Sequence, residues 1–259
     1  MFHYLENGIL VCSALEVPGL RHGFGTRRGG VSTGCFSSMN LGYNRGDLPE
    51  RVSENYRLFH RNTDTNQEKL VYVRQIHSDL LHRADAGRSC LRQDGDGVVT
   101  DVPGLPLACY YADCMPVLLY DPVRRAVGAI HSGWRGTVQD ILPKAVAKLQ
   151  ADYGCKPENL IAAVGPSIGP CHMEVGPEVR AQFLERGYDT VQPRDDSLYL
   201  DLWETAHIQL RGAGLLEENI HIARICTYCE QELFFSHRRM GERRGNHAAV
   251  IQLTGEASA

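Results

Sequence analysis

The sequence predicts an α/β or α+β fold in one domain over residues 1–259. Three observations predict it. Short apolar runs of strand length, such as Val117-Leu118-Leu119-Tyr120 and Ala126-Val127-Gly128-Ala129-Ile130, are bounded by Pro, Asp and Gly, the pattern of buried strands. Amphipathic stretches at helical spacing alternate with these runs. A chain of 259 residues, 43% hydrophobic and 22% charged, is long enough to bury a full core under an ordinary soluble surface.

In chain order, residues 1–20 alternate weakly and suit one or two entry strands. Residues 22–32, HGFGTRRGGVS, form a loop rich in glycine and arginine. Glycines let backbone N–H groups approach a ligand, and Arg27 supplies a forked cationic donor, so the loop suits a phosphate or carboxylate; an ordinary turn with solvated arginines fits as well. Val52, Tyr56, Leu58 and Phe59 lie at helical spacing, and Pro49 suits the first turn of a helix reaching about residue 61. A strand at 71–73 leads to Arg74, Gln75 and His77 at its polar end. Residues 93–97, QDGDG, read as a solvated turn and not a calcium loop, because no Glu follows at the twelfth position. Residues 98–100 continue as a strand.

The stretch 107–136 organises the chain. Its two apolar runs are joined by a polar turn at 121–125, with Cys114 before the first run and His131 after the second. Antiparallel pairing through that turn brings a thiol and an imidazole together. Residues 137–153 predict one helix with Ile141, Leu142, Val146 and Leu149 on one face, Pro143 in its first turns and Gly154 at its end. A strand at 160–164 runs into loop 165–176, where three glycines and two prolines fix a path suited to a pocket wall. A helix at 177–186, a strand at 198–200, an Asp201-capped helix to about 211, strands at 220–225 and 234–235, a basic segment at 237–239 and a last strand at 248–253 complete the chain.

A formal net charge of −4 gives no electrostatic footprint for nucleic acid or anionic membrane, which favours small-molecule chemistry. No stretch approaches the roughly 20 apolar residues of a membrane span. No Lys or Arg precedes the apolar run 9–15, so a secretory leader is not expected. The nine cysteines are an odd number, which points to reduced thiols and a cytoplasmic setting.

Cys114, His131 and His77 make a Cys–His–His set for a borderline-soft divalent metal, zinc first, leaving one tetrahedral position to water or substrate. A lone His is more often structural, but His77 gains weight because the other two need a third ligand. Asp113 points away from Cys114 on a regular strand and reads as an organiser of backbone. Arg135, in Gly133-Trp134-Arg135-Gly136, suits an anionic substrate group, or an ordinary surface position. Cys226 and Cys229 have CxxC spacing without a visible companion pair, so they read as buried or half-buried thiols.

Taken together, the segments HGFGTRRGGVS, NLG at 40–42, QIHSD at 75–79, ADCMPVLL at 112–119, AIHSGWRGT at 129–137, GPSIGPCHMEVG at 165–176, CT at 226–227 and FFSHRR at 234–239 resemble the YfiH-type family. That family was long described as laccase-domain or multicopper polyphenol oxidase-like and is associated with purine nucleoside phosphorylase and adenosine deaminase activity. Two departures stand out: Ser78 where the family usually has Gly, and residues 242–247 in place of its closing TGR-type segment. The resemblance implies a layered sandwich of mixed sheets with outer helices, shared with cysteine deamidase toxins. It implies metal ligands at His77, Cys114 and His131, catalytic roles for Cys114, His131, Arg135 and Arg27, and substrate contacts from Asn40, Ser167 and Arg74. It further implies a cytosolic zinc enzyme acting on a purine nucleoside (adenosine, inosine or methylthioadenosine) and phosphate. Two alternatives carry less: a Cys–His hydrolase acting on a peptidoglycan precursor, and a copper-dependent oxidase, which the absence of any HxH pair among the 11 His disfavours.

Overall fold

A computed structural model of the chain describes residues 1–85 and 93–255, so Cys90 lies outside the described residues. The chain enters through strands β1 (Phe2–Tyr4), β2 (Leu10–Cys12) and β3 (Leu20–Phe24), then forms helix α1 (Pro49–Thr63) and strands β4 (Leu81–Arg83), β5 (Gly97–Thr100), β6 (Leu107–Tyr111), β7 (Met115–Asp121) and β8 (Ala126–Ser132). Helices α2 (Trp134–Val138) and α3 (Ile141–Tyr153), strands β9 (Ile161–Val164) and β10 (Glu174–Val175) and helix α4 (Pro177–Glu185) follow. The chain ends with β11 (Val191–Arg194), β12 (Ser197–Leu200), α5 (Leu202–Gly212), β13 (Ile220–Ile222), α6 (His237–Met240) and β14 (His247–Leu253).

Two large sheets carry the fold, a five-stranded one ordered β1-β2-β3-β14-β6 and a six-stranded one ordered β13-β9-β7-β8-β5-β4, with a small β10-β12-β11 sheet beside them. The period-2 pattern of β7 explains why they stack. Leu118 and Tyr120 point to a core shared with Phe24, Leu107 and Ile251 of the five-stranded sheet, whereas Val117 and Leu119 point to the opposite core with Leu142, Leu149, Phe183 and Leu210 of the helices. The outer face of the five-stranded sheet is covered by α1 through Val52, Tyr56 and Phe59 against Ile9, Val11 and Val250. The layers therefore run helix, sheet, sheet, helix, the α/β sandwich expected. Each fully buried Leu or Phe in these layers contributes about 1.5–3 kcal/mol of burial.

The central hairpin forms as the sequence predicts, with Met115 opposite Ser132 and Pro116 opposite His131. Asp201 caps α5 by accepting from the Glu204 N–H at 3.0 Å. Three expectations are corrected. The single helix at 137–153 is two, because Asp140 takes a left-handed φ of 62° and breaks the run between α2 and α3. Residues 71–73 make only an isolated bridge at Val71 to Leu107, and Phe234 and Phe235 are buried in an irregular segment before α6, not in a strand. Among the described residues no helix is long and apolar enough to cross a membrane.

Candidate functional site

The hairpin sets Cys114 at the foot of β7 and His131 near the end of β8, and His77 arrives from the loop before β4. Their ligand atoms lie within 4.8 Å of one another, with Cys114 Sγ 3.8 Å from His77 Nε2. The two imidazoles meet edge to face at 5.0 Å. Gly133 leaves the space they occupy: a Cβ there would sit 2.9 Å from His77 and 3.0 Å from Cys114 Sγ. Two nitrogens and a sulfur in one small cradle fit a divalent metal of zinc type.

Asp96 holds the arrangement, and the sequence reading of 93–97 as a solvated turn is corrected here. Its side chain is fully buried, 0% exposed. One carboxylate oxygen accepts from His131 Nδ1 at 2.8 Å and from the His77 N–H at 3.0 Å; the other accepts from Ser78 N at 2.6 Å and Ser78 Oγ at 2.7 Å. Donation of Nδ1–H to Asp96 directs the His131 Nε2 lone pair toward Cys114 and His77. The backbone bonds hold His77 at a left-handed φ of 60°, a conformation a non-glycine residue keeps only when its surroundings fix it. Ser78, at a departure from the family pattern, is a partner of this carboxylate.

Cys114 and His131 each push the other toward its charged form. Burial pushes the Cys114 thiol up, but the charge of His131 and hydrogen bonds from His131 and His77 outweigh it and bring the thiol down to about 6. Burial works against the His131 imidazolium, and the Cys114 thiolate together with Asp96 raises it to about 9. Asp96 itself is held below the usual carboxylate range: burial opposes, while His131 and Ser78 prevail.

The three donors open onto a cavity of about 1060 Å³ walled by Tyr43, Tyr56, Tyr72 and Tyr110 on one side and by loop 165–176 on another. Arg244 also lines it, 7% exposed, with its Nε buried and unpartnered among the described residues. Burial and the charge of Arg45 lower its pKa to about 10, so it remains a cation at neutral pH, and it is close enough to Asp113 and Cys114 to feel their charges. Sequence reasoning passed over Arg244 as a departure from the family's closing segment. For Asp96 a signal existed: a carboxylate between two glycines at the head of a buried strand.

The remaining predicted residues scatter. Arg135 lines the cavity at the start of α2 and lies 4.3 Å over the Trp134 ring. Asp113 receives Thr227 Oγ1 at 2.7 Å and Arg238 N at 2.6 Å, the organising role expected. Arg27 donates to the carbonyls of Ser37 and Gln231 and covers Phe235, away from the cavity lining. Asn40 is buried and ties Gly42 to Asn246; Ser167 is buried and accepts from Trp203 Nε1 at 2.7 Å; Arg74 is exposed and pairs with Asp94. None of these four lines the cavity into which the three donors open.

Residues 21–254 match the family described as Multi-copper polyphenol oxidoreductase laccase. The purine nucleoside phosphorylase of Bacteroides thetaiotaomicron is 35% identical over 247 residues, covering 90% of this chain and 92% of that protein. The purine nucleoside phosphorylase YfiH of Shigella flexneri is 35% identical over 254 residues, 96% of each chain. The crystal structure of hypothetical protein YfiH from Bacillus licheniformis has a TM-score of 0.92 at 30% identity, covering 98% of this chain and 99% of that one.

Proposed function

The chain belongs to the Multi-copper polyphenol oxidoreductase laccase family, and on that premise we propose that it is a metal-dependent purine nucleoside phosphorylase. The names of its relatives support the reaction class. The observation that carries the reading is the buried Arg244 guanidinium in the same cavity as the His77–Cys114–His131 cluster: one of its NH₂ groups donates to Gly245 O and Asn246 Oδ1, and its Nε is left without a partner among the described residues. A buried cation with an open donor is costly without an anion, and phosphate supplies one. The tyrosines that line the same cavity offer flat apolar surface for a purine.

Residue roles follow from position. His77, Cys114 and His131 hold the metal, zinc by donor type, which supplies positive charge beside the reacting groups. Arg244 binds phosphate, and Arg135, at the cavity wall, steers it. Asp96 orients the His131 imidazole through Nδ1 and holds the His77 backbone. Arg27, Asn40, Ser167 and Arg74 act through the loops they pin. Multicopper oxidation finds little support, since neither Cys/His cluster among the described residues holds more than two imidazoles.

One observation favours a second reading. Cys114, His131 and Asp96 are arranged as thiolate, imidazole and orienting carboxylate, the apparatus of a cysteine hydrolase. Metal content separates the two, because a metal on the thiolate removes it as a nucleophile.

Purified zinc-replete protein is incubated with adenosine and with inosine, with and without phosphate, and products are separated chromatographically. Phosphate-dependent release of adenine or hypoxanthine is expected, lost in Cys114→Ala. Arg244→Met raises the phosphate KM by about 10–100-fold, the worth of a charge-assisted contact. Inosine formed from adenosine adds deamination. No turnover of either nucleoside overturns the proposal.

A further inference from the structure

We propose that Cys171, His172, Cys226 and Cys229 form a second metal site, a closed Cys₃His set for zinc that staples loop 165–176 to the turn after β13. Donor atoms of all four residues lie within 4.8 Å of one another. The sequence shows a CxxC at 226–229 without a companion; the fold supplies one, the adjacent Cys171 and His172, from a segment 58 positions away in the case of Cys171 and Cys229.

Two of the six separations lie close to the edges of a tetrahedron around zinc, and all six are within 4.8 Å. Zinc bonds of about 2.3 Å to sulfur and 2.0–2.1 Å to nitrogen imply sulfur–sulfur edges of about 3.8 Å and sulfur–nitrogen edges of about 3.6 Å. Cys171 Sγ and Cys229 Sγ are 3.6 Å apart, and Cys229 Sγ is 3.4 Å from His172 Nδ1. The His172 ring is turned toward them by stacking on Tyr228, centroid to centroid 3.9 Å at 16°. Cys226 Sγ accepts from the Gly169 N–H at 3.3 Å, a bond that steadies a thiolate ligand.

The surroundings match the charge such a site carries. Three thiolates and a neutral imidazole on a divalent cation leave a net −1. Three arginines hold the carbonyls of the ligand segments: Arg194 donates to Cys171 O at 2.9 Å, Arg238 to His172 O at 3.0 Å, and Arg239 to Thr227 O at 3.0 Å and to Tyr228 O. Four protein ligands leave no open position, so the role is structural. The same loop presents Ile168, Met173, Glu174 and Val175 to the cavity, and Arg238 lines it too. The metal thereby fixes one wall of the substrate pocket. The inference does not depend on which reaction the pocket performs.

Zinc is counted per chain on the reduced, zinc-saturated, desalted protein. Two equivalents are expected in the wild type, one in Cys229→Ser, one in Cys114→Ala and none in the double variant. Cys229 is exposed, so its replacement spares the core, and Cys171→Ser serves as a second variant. Cobalt titrated into Cys114→Ala gives the intense visible bands of a tetrahedral thiolate site, abolished by adding Cys229→Ser. One equivalent in the wild type and none in Cys114→Ala, with Cys171 and Cys229 freely alkylated, overturns the proposal. So does a Cys171–Cys229 disulfide that persists in reductant.

Discussion

Replacing Asp96 by Asn keeps the shape of the side chain and removes its charge, which isolates what the carboxylate does. An amide presents one oxygen and one NH₂. Placed where the carboxylate meets His131 and His77, the NH₂ faces the His77 N–H and forces His131 to accept at Nδ1, so the imidazole proton moves to Nε2 and blocks the ligand lone pair. Placed at the other oxygen, it faces the N–H groups of Ile76 and Ser78. Both placements leave buried donors unpaired at a position with no solvent access. Breaking a buried charge pair of this kind costs about 3–5 kcal/mol, which lowers Tm by about 10 °C in a chain of this size. Loss of a carboxylate that orients a ligating His weakens metal binding by about 10–100-fold. Zinc affinity is measured by chelator competition in a Cys229→Ser background, so that only the cavity site reports, and Tm by calorimetry. Ser78→Ala is the control: it removes one of the donors to Asp96 and should cost about 1 kcal/mol with little change in zinc affinity. Wild-type affinity and Tm in Asp96→Asn would refute the reasoning.

Three further outcomes follow from the same geometry. Gly133→Ala has no backbone strain to overcome at φ −75°, but its Cβ intrudes on His77 and Cys114; turnover should fall about 100-fold while near-ultraviolet circular dichroism is retained, and unchanged turnover would contradict the close approach. In metal-stripped protein Cys114 is a thiolate from about pH 6 upward, paired with a His131 imidazolium up to about pH 9. Its stabilising contribution is lost as pH falls through about 6, and that of His131 as pH rises through about 9. Alkylation of Cys114, followed by peptide mass spectrometry, should therefore stay nearly flat from pH 8 to 7 and fall only about twofold by pH 6; a tenfold fall per pH unit across that range would show an ordinary thiol. Burial lowers His22 and His60 to about 4 and His247, with the charges of Arg244 and Arg27 added, to about 3. These histidines stay neutral in the fold while the unfolded chain protonates near 6.5, so each contributes about 3 kcal/mol that is lost as pH falls from 6.5 toward 4. Urea midpoints measured between pH 6.5 and 4.5 should drop steadily, and a flat profile would show that the three do not resist protonation.

Much of the site was legible where local pattern fixes geometry. The turn at 121–125 sets the β7–β8 register, and register alone carries Cys114 and His131 to one end of the sheet. Asp201 as a cap and the α1 face of Val52, Tyr56 and Phe59 were legible for the same reason: capping and helical period are properties of neighbouring residues. The helix break at Asp140 was not, because its left-handed backbone is held by partners distant in sequence, Arg186 and Tyr188, which bind the Asp140 carboxylate.

By itself, then, the sequence determined the layered α/β class, the hairpin and its two reactive residues. Period-2 and period-3.6 patterning states that a face is buried, and hydrophobic burial stabilises it whatever covers it. Which surfaces meet depends on pairings between distant segments, and only the tertiary structure decided those. The parallel β4–β5 pair and the β5–β8 pair bury a turn that reads as solvated, turning Asp96 into the support of the His131 imidazole and the His77 backbone. The β14 approach leaves Arg244 inside the cavity, and the crossing of loop 165–176 over the turn after β13 brings the local pairs Cys171–His172 and Cys226–Cys229 into one cluster, a meeting no local spacing specifies.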